Sequence, residues 1–152
     1  MANIDSAVLN KNQYMQGFGN TVVADGTVAL ATNPVAADLI RVMKVQAGTK
    51  LNALLLGNAR IDTNAAPTLV VSIGYVPVVV GDGPAANATY FQAAGDPVLG
   101  LATLNTGKLY CNFAPITFAF DVYITMTVGA TALTFAAGSL FMAAMGEARG
   151  IK

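Results

Sequence analysis

Cys111 is the chain's one cysteine, and histidine is absent altogether. A catalytic thiol needs a base beside it to form the thiolate, and the usual base is missing, so Cys111 reads as a small core or half-buried side chain. With no second cysteine there is no intrachain disulfide, and so few cysteines fit a reducing cytoplasm. The lack of histidine excludes His-dependent triads and His-metal sites. The one glutamate, Glu147, stands near the C-terminus, where solvent exposure is expected. The aspartates are Asp5, Asp25, Asp38, Asp62, Asp82, Asp96 and Asp121, and most sit beside Gly, Pro or Asn, as turn-forming aspartates do. Asp62-Thr63-Asn64 comes nearest to a calcium loop but lacks further oxygen ligands at close spacing. Gly81-Asp82-Gly83 has neither the lysine nor the following helix of a phosphate loop. Tyr75, Tyr90, Tyr110 and Tyr123 offer either a sugar-binding surface or caps on the edge of a core. No catalytic residue, metal site or cofactor is predicted, and the chain does not read as an enzyme.

The bulk chemistry points to association instead. Of the 152 residues, 55% are apolar and 11% charged, with formal net charge zero; about 25% charged is usual for a soluble domain. A surface this poor in charge has little repulsion to keep copies apart. The eight basic residues are scattered, and Arg41 and Lys44 fall on opposite faces if that stretch is a strand. A nucleic-acid partner is therefore not expected, since phosphate binding needs clustered Lys and Arg.

The elements that would position any site are strands. Short runs rich in Val, Ile, Thr, Tyr and Phe are separated by Gly, Pro, Asn and Asp. Residues 1–20 are polar and read as an extended arm with a joint at Gly17-Phe18-Gly19. Such a terminus is either disordered or ordered on a neighbour, and Tyr14, Met15 and Phe18 are costly to leave in water. Residues 21–24 and 27–31 flank Asp25-Gly26, a hairpin signal. Runs at 39–45, 49–56 and 68–75 follow. The Gly-, Pro- and Ala-rich stretch 81–88 is a loop, 89–94 is a short element of about one helical turn, and 98–104 and 108–113 are weaker strands. The run 116–128 (ITFAFDVYITMTV) alternates throughout, placing Phe118, Phe120, Val122, Ile124, Met126 and Val128 on one face. Asp121 within it is either paired with a Lys or Arg of a neighbouring strand or subunit, or simply exposed. A final strand spans 139–145. No charge occurs between 122 and 146, long enough to cross a bilayer as a helix. Repeated Thr and Gly, and the alternation of its first half, favour strands, so no membrane partner is expected. The prediction is all-β: a two-sheet antiparallel β-sandwich over 21–152 behind an N-terminal arm, 1–20.

Four segments carry a resemblance. Residues 41–56 (RVMKVQAGTKLNALLL), 67–75 (PTLVVSIGY), 88–94 (ATYFQAA) and 116–128 together resemble the capsid decoration, or cement, proteins of tailed bacteriophages. The shared pattern is a V-x-A-G-T-x-L turn, a T-L-x-V-x-x-G-Y strand, a Y-F step and a late D-V-Y-I-T strand. The resemblance spans roughly 41–145, and the Val- and Pro-rich 76–84 is less typical of it. It implies a jelly-roll-like sandwich on the outside of the head, made in the host cytoplasm, clamping neighbouring major capsid subunits. The implied partners are the major capsid protein and further copies of the chain, as a dimer or trimer. The arm residues Tyr14, Met15 and Phe18 and the loop residues Gly81, Asp82, Gly83, Pro84 and Asn87 are the capsid-facing candidates. A tail or fibre-base protein, a carbohydrate-binding jelly roll and a membrane-embedded protein are the competing expectations.

Overall fold

Alternation of apolar and polar residues dictates strands, and strands account for all the regular structure described. They are β1 (Asn3–Asp5), β2 (Thr21–Leu30), β3 (Leu39–Val45), β4 (Thr49–Asn58), β5 (Val70–Pro77), β6 (Asn87–Gln92), β7 (Lys108–Tyr110), β8 (Ile116–Thr117), β9 (Val122–Ala130) and β10 (Gly138–Ala148). The computed structural model describes residues 1–7, 9, 21–93, 108–110 and 113–148, and only the backbone of Val22 and of 108–110.

One sheet runs β1-β3-β9-β5-β6 and the other β2-β10-β4-β7, with β8 also on β4. The pairs β2·β10, β3·β9, β4·β7 and β5·β6 are antiparallel and nested. The chain is thus one long two-stranded ribbon, with the β5–β6 connection at its tip, rolled so that β10 also meets β4 and β9 also meets β5. That is the winding of a jelly roll, which the resemblance implied. The parallel pair β1·β3 is the exception to the antiparallel pattern.

The inward faces make one core. Ile40, Val42 and Met43 of β3, Ile73 of β5 and Ile124 and Met126 of β9 meet Leu54 and Leu56 of β4 and Leu140 and Met142 of β10, all essentially inaccessible to water. Strands with one apolar face can bury it only against another such sheet, which fixes the two layers.

Several sequence-based expectations change. Asp25-Gly26 is not a turn: β2 runs unbroken through it, paired with β10 from Thr21↔Glu147 to Leu30↔Gly138. Residues 87–92 form a strand, not a helical turn. The alternating run 116–128 is two strands in different sheets, Ile116–Thr117 on β4 and Val122–Ala130 between β3 and β5. The uncharged stretch 122–146 is β9, a loop and most of β10, and no helix long and apolar enough to cross a membrane occurs among the described residues. Glu147 is half-buried rather than exposed. The strand expected at 98–104 lies outside the described residues.

Candidate functional site

Among the described residues no group of three His, Cys, Asp or Glu side chains gathers to hold a metal; what these residues offer is exposed surface. The tip of the ribbon is one. Val78 N–H donates to Asp121 O at 3.0 Å and Asp82 N–H to Val79 O at 3.2 Å, curling the β5–β6 loop against residues 118–121. Gly81 (φ 96°) and Gly83 (φ 82°) take left-handed turns that disfavour other residues. A side chain at Gly83 would run into the Phe120 ring. The loop presents apolar side chains to water: Val79 is 56%, Val80 96% and Phe120 45% exposed. Gly81, Asp82, Gly83 and Asn87 are exposed beside them and Pro84 is half-buried.

The mount beneath this tip is a chain of packed aromatic rings. Phe118, fully buried, lies edge-on to Tyr75 at 5.1 Å, and Tyr75 meets Tyr90 at 5.5 Å; Tyr90 meets Phe91 at 5.0 Å, and Phe91 meets Phe113 at 4.8 Å. Gly48 N–H donates to Phe118 O at 2.8 Å. Asp121 accepts Lys44 Nζ at 2.6 Å and the Ala47 N–H at 2.9 Å. Burial pushes the Asp121 carboxyl up, but the Lys44 bond, the Ala47 N–H and the Lys44 charge outweigh it and hold it below the usual range. Of the two readings of Asp121, pairing with a neighbouring strand is the one found.

Tyr75 and Tyr90 pack in the core, Tyr123 lies beneath Arg41 on the outer face of its sheet, and the side chain of Tyr110 lies outside the described residues. Tyr75 and Tyr123 are buried and Tyr90 half-buried. Burial raises the Tyr75 hydroxyl, helped by Tyr90. Neither Tyr75 nor Tyr123 offers a free ring face for a sugar.

The opposite pole is closed by polar bonds. Asp62, inaccessible to water, takes the N–H groups of Asn64 (3.1 Å), Thr68 (2.8 Å), Leu69 (3.1 Å) and Thr134 (3.4 Å). Burial acts to raise its pKa, and the four backbone donors prevail, lowering it to about 2. Asn33 Nδ2 donates to Ala132 O at 2.9 Å, and Thr131 Oγ1 to Pro34 O at 2.8 Å. Two apolar side chains stand out here, Val35 (55% exposed) and Leu133 (67%).

The two outer faces differ. On the β1-β3-β9-β5-β6 sheet, Arg41 makes paired 2.6 Å bonds to Asp5 and lies 5.2 Å over the Tyr123 ring, with Lys44 bonded to Asp121 nearby. The Asp5 hydrogen bond raises the Arg41 pKa further. These charges are satisfied within the chain. Arg41 and Lys44 share this face, not opposite faces: the register slips between Arg41 and Met43, so Arg41 sits opposite Thr125 and Lys44 opposite Tyr123. On the other sheet, β10 exposes Phe141 and Met145, and a shallow cleft of about 550 Å³ lies between Phe141, Leu55 and Gly57.

Among the sequence candidates, Gly81, Asp82, Gly83, Pro84 and Asn87 therefore gather at the tip, whereas Tyr14, Met15 and Phe18 lie outside the described residues. Sequence reasoning missed Phe120, placing it with the core residues Phe118 and Val122. The alternation is intact there, and only the crossing between sheets at 118–121 turns the ring outward. Val79 and Val80 were signalled only as an atypical valine run.

No protein-family model matches the sequence, and no curated protein does. Solved structures do. The chain superposes on a chain of the cyanophage Pam1 capsid asymmetric unit with TM-score 0.70 and 25% identity, covering 93% of this chain and 95% of that one. It superposes on a chain of the capsid of Ralstonia phage GP4 with TM-score 0.74 and 18% identity, covering 99% and 100%. The fold is that of chains found in phage capsids. Both matched chains are covered almost end to end, so each is a polypeptide of about this size.

Proposed function

We propose that this chain is a structural virion protein that decorates a phage head. It binds the outside of the capsid, stabilises contacts between major capsid subunits and associates with further copies of itself. The observation that carries this reading is the near full-length likeness to chains of two phage capsids. The surface chemistry supports it: apolar side chains stand out at both poles, while the charges of one sheet face are consumed internally. Such a molecule is equipped for docking by shape and apolar contact. Each contact can be weak, because a shell offering many sites multiplies binding through avidity. The reading assigns no cofactor, nucleic acid or membrane to the chain and places its synthesis in the host cytoplasm.

The test is co-sedimentation of the purified protein with empty heads and, separately, with purified tails, followed by cryo-electron microscopy of the particles that bind. Saturable binding to heads and extra density on the outer capsid lattice are expected. Binding to tails alone, or density on the inner capsid surface, would overturn it.

A further inference from the structure

The outer edge of β3 is built as a slot for a strand. Asp38 grips its entrance, accepting the Ala2 N–H at 2.8 Å and the Val35 N–H at 3.0 Å. Leu39 N–H donates to Ala2 O, and Ser6 N–H to Arg41 O, both at 3.0 Å. Arg41 clamps Asp5 with two bonds, and Ser6 Oγ donates to Thr27 O at 2.9 Å. The strand seated there, β1, is only three residues long and parallel to β3, whereas every other strand pairing among the described residues is antiparallel. Its described apolar anchors are Ile4, half-buried against the core, and Leu9, buried one turn later. The rest of its seat is a set of directional bonds to one edge. That is how sheets capture added strands.

The connection is longer than this seat requires. Ser6 touches Thr27, and Thr21 lies six residues back along β2, about 20 Å away. The chain from Leu9 to Thr21 can span about 40 Å. The difference is slack that exchange with a second copy would draw on.

We infer that the outer edge of β3 accepts the 2–6 segment of a second copy of this chain, so that assembled copies exchange their N-terminal strands. Exchange preserves every bond described above and adds the link between copies. A low-charge chain with net charge zero does nothing to oppose the approach. The inference stands apart from the capsid reading, since exchange between copies needs no phage particle.

The clamp between Asp5 and Arg41 supplies the test. Full-length Asp5→Arg and Arg41→Asp variants each place like charges in their own slot. Mixed, the introduced arginine meets the introduced aspartate of the other chain, and the remaining Asp5 meets the remaining Arg41, but only by exchange. Native mass spectrometry of the mixture is expected to give hetero-oligomers enriched roughly tenfold over either homo-oligomer. Folded variants that stay separate on mixing would overturn the inference. If either variant fails to fold, Asn3→Cys and Leu39→Cys, which replace residues opposite each other in the β1–β3 register, are made as single variants on a Cys111→Ser chain. A disulfide joining the two different chains is expected on mixing. No such product, together with ready closure of the double variant within one chain, would overturn it equally.

Discussion

Gly26 lies directly beneath the carbonyl oxygen of Val42, so close that a Cβ there would collide with it. The contact joins the edge of one sheet to the other at the place where β3 bulges, and the bulge turns the Val42 carbonyl toward β2. Gly26→Ala must push β2 away from β3. A loss of about 2 kcal/mol is expected, from overpacking against backbone that cannot rotate aside. Differential scanning calorimetry should register it as a fall in Tm of about 5 °C. An unchanged Tm would mean that β2 and β3 are not in contact there.

That contact also explains one limit of the sequence. Asp-Gly between alternating apolar residues ordinarily marks a hairpin, but the glycine here is required for close approach, and β2 passes straight through. Close approach is a tertiary demand that leaves the same trace as a turn. The bulge at Val42 hid the pairing of faces in a similar way: one slipped residue puts Arg41 and Lys44 together, where strict alternation parts them. The sheet crossing at 118–121 concealed Phe120, because alternation holds on both sides of it. What was legible followed from local pattern. The ends of β3 match the alternating run 39–45, and the all-β class and two-sheet sandwich follow from strand spacing and one-sided apolarity, whereas the jelly-roll winding was implied by the resemblance alone. The exposed tip was legible from its Gly- and Pro-rich composition, but not the apolar side chains it carries.

Asp62 is expected to govern the acid stability of the pole opposite the tip. Its folded pKa of about 2 lies below the ordinary 3.8. The ionised carboxylate therefore stabilises the fold fully above pH 3.8, and that contribution fades as the pH falls toward 2. Asp62→Ala leaves four backbone donors without their acceptor and should cost about 3 kcal/mol at neutral pH. Thermal melts between pH 2 and 7 would check both points. The wild type should lose stability below about pH 4, and the variant should be weaker at pH 7 and lack that component of the decline. A variant with the wild-type profile would remove Asp62 from this role.

The Lys44–Asp121 pair should matter less for its charge than for its second bond. Their side chains are 22% and 38% exposed, so water and salt screen the attraction. Lys44→Ala is expected to cost no more than about 0.5 kcal/mol, and less in high salt. Asp121→Ala also frees the Ala47 N–H and should cost about 1 kcal/mol more. Urea denaturation of the two single variants and the double variant measures the difference. Equal losses for the two singles would mean that the Ala47 bond contributes nothing.

The apolar tip gives the most direct check on the proposed docking surface. Val80 is 96% exposed and Phe120 45%, so neither side chain contributes much to the core. A charge at Val80 meets only water in the free protein, and Val80→Asp should change folding stability by less than about 0.5 kcal/mol. Phe120→Ser loses the contact with Gly83, and a cost of about 1 kcal/mol is expected. Against a capsid surface both changes act differently. An aspartate there must be desolvated without a partner, and a serine leaves an apolar recess unfilled. Because a decorated head multiplies each weak contact, even a tenfold loss per site should remove most binding at micromolar protein. Co-sedimentation of the folded variants with empty heads is expected to fall to background for Val80→Asp and at least severalfold for Phe120→Ser. Wild-type binding by both would move the capsid-facing surface away from the tip of the ribbon, to the other pole or to the apolar face around Phe141.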